Sequence, residues 1–113
     1  MPSNLSALDR LRKAANLEPV KKEIELSDGS IFEMYVSPLT MAERERAQKQ
    51  AKSDDANAIA LQLLIAKAQD ENGRKLFNAG EIDVLKNEVK DSDLQSLMLA
   101  VINAEEDTID PKN

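Results

Sequence analysis

The chain has no cysteine, no histidine and no tryptophan, and its 113 residues include only three glycines, one tyrosine and two phenylalanines. Each absence closes off a class of chemistry. Without cysteine there is no disulfide, no thiolate metal site and no thiol nucleophile, and the compartment expected is the reducing cytosol. Without histidine the chain lacks the usual general base near neutral pH, the usual partner of a nucleophilic serine and the commonest transition-metal ligand. Its glycines fall in no phosphate-cradling pattern. No run approaches the roughly 18 apolar residues that a membrane span needs, and Asp9 with Arg10 interrupts what would be the core of a leader. The expectation is a soluble, nonenzymatic protein with no cofactor, no metal and no membrane contact.

What is present is aliphatic and charged. Apolar residues make up 42% of the chain and charged residues 32%. A core poor in aromatics must be built from Leu, Ile, Val, Met and Ala, which favours closely packed helices. The length suits one domain, which buries about 60 to 70% of the surface of its unfolded form. Net charge is −6 and unevenly spread: residues 1–22 hold five basic and two acidic side chains, residues 78–113 three basic and nine acidic. An acidic chain with almost nothing to stack on bases is not expected to bind nucleic acid. The paired carboxylates Glu23 with Glu25, Asp54 with Asp55 and Glu105 with Glu106 fall among charges, at helix ends or in the tail, where water keeps carboxylates ordinary.

Leu5, Leu8, Leu11 and Ala15 recur at helical spacing behind a Ser6–Asp9 cap and predict a short amphipathic helix over residues 4–16, within an N-terminal arm of residues 1–19. So short a helix must dock on something or stay partly disordered. Pro19 breaks it. Val20, Ile24 and Leu26 then alternate with charges as a strand does, and a hairpin is expected over residues 20–36. A two-residue Asp28-Gly29 turn would set Phe32 and Met34 opposite Glu25 and Glu23. A three-residue loop, Ser27 to Gly29 with Gly29 left-handed, instead sets Ile24 opposite Phe32 and Val20 opposite Val36 and gives one apolar face. Pro38 ends the hairpin, and Thr40 with Glu43 forms a capping box for a new helix.

Residues 40–103 are expected to be a helical bundle. The helix from Met41 to about Lys52 is largely polar, and Ser53-Asp54-Asp55 restarts or kinks it. The next helix, to about Gln69, is apolar on two sides: Ala56, Ile59, Ala60 and Leu63 on one, Leu61, Leu64, Ile65 and Ala68 on the other. Asp70-Glu71-Asn72-Gly73 reads as a turn, since a calcium loop needs glycine sixth and glutamate twelfth and here Gly73 is fourth. Leu76 and Phe77 form a short anchor, and Asn78 to Glu81 opens a helix carrying Ile82, Leu85 and Val89. Ser92 with Gln95 reads as a capping box for a last helix carrying Leu94, Leu97, Met98, Val101 and Ile102. Residues 104–113 read as a flexible acidic tail. The fold expected is mainly α with one β-hairpin, an α+β arrangement in which a small helical bundle packs on an N-terminal two-stranded hairpin.

The double stripe on the helix of residues 55–69 has two readings. It is the middle helix of a bundle, covered on both sides by its own chain, or one stripe stays available to another subunit or client. In the second reading Leu61, Leu64 and Ile65 are the centre of a partner-binding site, and Leu99, off the stripe of the last helix, extends it.

The order of parts, a charged hairpin, then Pro38-Leu39-Thr40-Met41-Ala42-Glu43-Arg44, a hydrophobic central helix, Asp70-Glu71-Asn72-Gly73-Arg74-Lys75-Leu76-Phe77 and a final Leu-rich helix, resembles the tail assembly chaperones of long-tailed bacteriophages over residues 20–103. The resemblance implies a noncatalytic protein that binds the tape measure protein, keeps it soluble and helps recruit tail tube subunits. It further implies absence from the mature virion, and the compartment expected is the host cytoplasm. The spare surface on the helix of residues 55–69 itself predicts association, first with other copies of the chain and then with an apolar helical client. Two other classes share the size and composition: a small structural head or tail joining protein of the virion, and an acidic regulatory binding protein.

Overall fold

The structure, a computed structural model, describes residues 6–104. Helix α1 (Ala7–Ala14) leads into a hairpin of strands β1 (Val20–Glu25) and β2 (Ile31–Val36), followed by α2 (Met41–Ala51), α3 (Ala56–Lys67), a 3₁₀ turn (Ala79–Glu81), α4 (Ile82–Glu88) and α5 (Asp91–Ile102). The predicted α+β class, mainly helical with one antiparallel hairpin, is the observed one.

The hairpin has the three-residue loop. Ile24 lies opposite Phe32 and Val20 opposite Val36, the Leu26 N–H donates to the Ser30 carbonyl at 2.8 Å, and Gly29 has φ +88°. Met34 and Val36 are fully buried. The inner face is not wholly apolar, because Lys22, opposite Met34, is buried on it. Its aliphatic stem packs as a hydrophobe does while Nζ donates to the Asn103 carbonyl at 3.2 Å, just past α5. Val20, at the open end, stays exposed.

Thr40 caps α2 as its sequence predicts. Its hydroxyl accepts the Glu43 N–H at 3.3 Å, and the Glu43 carboxylate accepts the Thr40 N–H at 3.0 Å. Lys52 closes the helix in the left-handed region, φ 53°, and Asp55 caps the next by accepting the Ala58 N–H. The Ser53-Asp54-Asp55 break is therefore a reversal and not a kink. Lys67, in the last turn of α3, donates to Glu43 in the first turn of α2 at 2.7 Å, so the two helices run antiparallel.

Leu64 and Ala68 of α3, Leu97 and Val101 of α5, and Met34 and Val36 of the hairpin belong to one core. Segment 69–75 turns tightly on the Asp70 carboxylate, which accepts the N–H groups of Asn72 and Arg74, and Gln69 pairs with Tyr35 at the edge of β2. Phe77 stacks on Phe32 with ring centroids 6.2 Å apart. The Leu76-Phe77 anchor thus holds the hairpin.

Three expectations need correction. The Ser92–Gln95 capping box does not form: α5 begins earlier, at Asp91, without a side-chain cap. Asp91 and Asp93 put negative charge in its first turn, which offsets the helix dipole, and the Gln95 amide reaches Asp91 at 3.4 Å instead. The acidic tail does not start at residue 104, since Ala104 is buried in the core; the remainder of the predicted tail lies outside the described residues. The first helix is shorter than residues 4–16 and, although Ser6 caps it, none of its residues is buried.

Candidate partner-binding site: a furrow along α3

Helix α3 presents Ala58, Leu61, Gln62, Ile65 and Ala66 along one side, at the i, i+3, i+4, i+7, i+8 spacing of a helical stripe. These residues floor two adjoining depressions of about 360 and 470 Å³, which share Gln62 and Ile82. Gln50, Ala51 and Lys52 at the end of α2 contribute to the walls, as do Ile82 and Lys86 of α4 and Asp91, Leu94, Gln95 and Met98 of α5. The furrow stays open because several of its positions, Ala51, Ala58, Ala66 and Ala79, carry side chains too small to fill it.

The predicted site residues separate in this geometry. Leu61 and Ile65 come together on the furrow floor, at 7% and 6% exposure. Leu64, at 0%, lines neither depression and is the most deeply buried of the three, although all three belong to the one hydrophobic core. Leu99 is 55% exposed, one turn beyond Gln95 on the row Asp91, Gln95, Leu99, and outside the furrow lining. The reading in which a whole apolar stripe stays bare is thereby narrowed: α2 and α5 pack along α3 and bury Leu61, Leu64 and Ile65, so that only the edges of Leu61 and Ile65 reach the furrow. Ala58, Gln62, Ile82 and Met98 were missed. The signal for the first two is their spacing from Leu61 and Ile65, which a small alanine and a polar glutamine do not register as part of an apolar stripe.

Charge on the rim is polar in the directional sense. Asp55 and Asp91, with Lys86, line one depression, Lys52 and Lys75 the other. The displaced ionisations lie elsewhere and have structural causes. Glu33 and then Glu23 raise Lys21, the Ser30 hydroxyl and N–H hold Asp28 low, and the Arg74 N–H leads those that lower Asp70. Burial pushes Glu43 up, but hydrogen bonds from Lys67 and the Thr40 N–H outweigh it and leave the carboxyl below its ordinary range. Among the described residues no group of three carboxylates is placed to hold a metal ion, and no helix is long and apolar enough to cross a membrane.

Fold and furrow together define a small α+β module with a concave, apolar-floored surface along its central helix. The chain belongs to the phage tail assembly chaperone (TAC) family, whose model matches residues 7–105. That match takes in every element of the furrow and helix α1 before the hairpin. No curated protein and no solved structure matches the chain.

Proposed function

We propose that the protein acts without catalysis, as a chaperone that holds an apolar helical segment of the tape measure protein in the α3 furrow and so keeps that long polypeptide soluble while tail tube subunits are recruited. The observation that supports this reading is the furrow itself, a stripe with helical periodicity between helical walls in a chain of this family. An amphipathic client helix lays its apolar face on such a floor, and alternate anchors one turn apart meet Leu61 and Ile65. The chaperone's net charge of −6 keeps the complex in solution. In this reading the protein works in the host cytoplasm, associates with its own copies as well as with tail components, and is left out of the finished virion.

The test is co-expression with the tape measure protein and affinity capture. Gln62→Glu with Ala66→Glu puts two charges on the furrow floor at positions that are not core, so melting temperature is expected to stay within a few degrees of the parent. Captured client is expected to fall at least about tenfold, because an apolar helix laid on the floor would strip water from two carboxylates. Unchanged capture would place the client surface elsewhere. Mass spectrometry of purified particles, which should lack this chain, separates the chaperone from a structural joining protein.

A further inference from the structure

Helix α1 is a second feature with apolar side chains left exposed among the described residues. Leu8 and Leu11 lie on one side of it, one turn apart, and Leu11 is 70% exposed. No residue of the helix is buried, and Leu17 in the connection to β1 is exposed as well. A helix of eight residues barely holds by itself in water, so an apolar stripe on it implies a surface that receives it.

We infer that α1 of one copy docks in the α3 furrow of a second copy. The inference rests on the reading of the furrow as an acceptor of apolar helices, and two observations select the second copy as occupant. The first is charge. Asp9 stands in the first turn of α1, and Arg12 and Lys13 stand in its last. The furrow has Lys52 and Lys75 along one depression, and Asp55 and Asp91 with a single Lys86 along the other, so one is net positive and the other net negative. One orientation of the helix therefore sets Asp9 toward the net positive depression and Arg12 and Lys13 toward the net negative one, with Leu8 and Leu11 on the floor. An arm with net positive charge also meets a chain whose total is −6.

The second observation is reach. Asp93 accepts hydrogen bonds from the Ser27 N–H and hydroxyl at 2.9 and 2.8 Å, whereas Gln95 lines the furrow. Residues two apart lie on nearly opposite sides of a helix, so the hairpin sits on one side of α5 and the furrow on the other. The Lys22 bond to the Asn103 carbonyl sets the Val20 end of β1 beside the far end of α5, away from the furrow wall at Asp91 to Met98. Only residues 15–19 join α1 to β1. The six steps from Ala14 to Val20 span at most about 21 Å when extended, little more than the half-circuit of a helix about 10–12 Å across, and the path to the chain's own furrow must also run back along α5. A neighbouring copy meets no such limit. Reciprocal exchange of arms closes a two-fold dimer with two identical contacts.

The consequence for the chaperone is that client and arm compete for one furrow, so apolar floor is covered until a client displaces the arm. The test uses the full chain. Sedimentation equilibrium over a dilution series is expected to give at least two chains per particle, falling to one on dilution. Leu8→Gln with Leu11→Gln is expected to be monomeric throughout with an unchanged melting temperature, because neither side chain is buried. Since the chain has no cysteine, Ala15→Cys mixed with Gln95→Cys should cross-link on mild oxidation faster than either variant alone. A parent that is monomeric at every concentration, or an arm variant that keeps its oligomer mass, overturns the inference. So does a chain carrying both cysteines that closes the bridge within itself, which would assign the arm to its own furrow. Failure of the functional reading looks different: client capture would persist in Gln62→Glu with Ala66→Glu. Capture by the arm variant is expected to equal or exceed that of the parent, since its furrow is unoccupied.

Discussion

Glu43 and Lys67 meet at the corner where the hairpin hands the chain to its helices. Lys67 is 3% exposed and donates to Glu43 at 2.7 Å, to the Ser37 hydroxyl at 3.0 Å and to the Pro38 carbonyl. A buried ammonium is tolerated only when its donors are used in this way. The Glu43 carboxyl is displaced downward, and its sign fixes a pH dependence. A carboxyl whose folded pKa lies below its unfolded value of about 4.3 contributes stability that is complete above that value and is lost as pH falls through the folded one. The urea midpoint is therefore expected to drop below about pH 4, and Glu43→Gln should flatten that part of the profile. Gly29 poses a purely backbone question. Nothing lies within 4 Å of where its Cβ would stand, yet its φ is +88°. Gly29→Val is expected to cost about 1 to 2 kcal/mol by thermal denaturation, and Gly29→Asn less, because asparagine enters the left-handed region more readily.

Among the elements, α3 shows why a stripe read from sequence need not be a surface. Leu61, Leu64 and Ile65 share a periodicity and one core, but Leu64 is wholly buried while its two neighbours also floor the furrow. Leu64→Ala is expected to cost about 2 to 5 kcal/mol through the cavity it leaves. Leu99→Gln, on an exposed position of α5, should shift stability by no more than about 0.5 kcal/mol. Chemical denaturation of the two variants separates core from rim. Caps were legible where a side chain makes them, as Ser6, Thr40, Asp55 and Asn78 do. At α5 the Ser92–Gln95 pattern matched and the helix started elsewhere, because acidic residues in its first turn serve the same end without a cap.

For the whole molecule, the unequal charge of its two ends and the apolar floor of the furrow make different predictions about salt. If the client lies on Leu61 and Ile65, its affinity should change by less than about tenfold between low and high ionic strength, since apolar burial is not screened. An acidic regulatory protein would lose its partner steeply over the same range. Fluorescence anisotropy of a labelled tape measure helix measures this directly.

By itself the sequence determined the helical class, the single hairpin with its three-residue loop, the junction at Pro38 and the membership of a family. These are local matters: alternation, periodicity, proline and a left-handed glycine act within a few residues of one another. Tertiary structure decided the rest. That α3 turns back on α2 depends on Lys67 meeting Glu43 from 24 residues away, and a buried lysine leaves no mark in a pattern of apolar residues. That the furrow exists depends on alanines from three segments falling opposite one another across a gap, and on which side of α5 the hairpin takes. Small side chains carry almost no periodic signal, so the space they leave is visible only once the helices that frame it are in place.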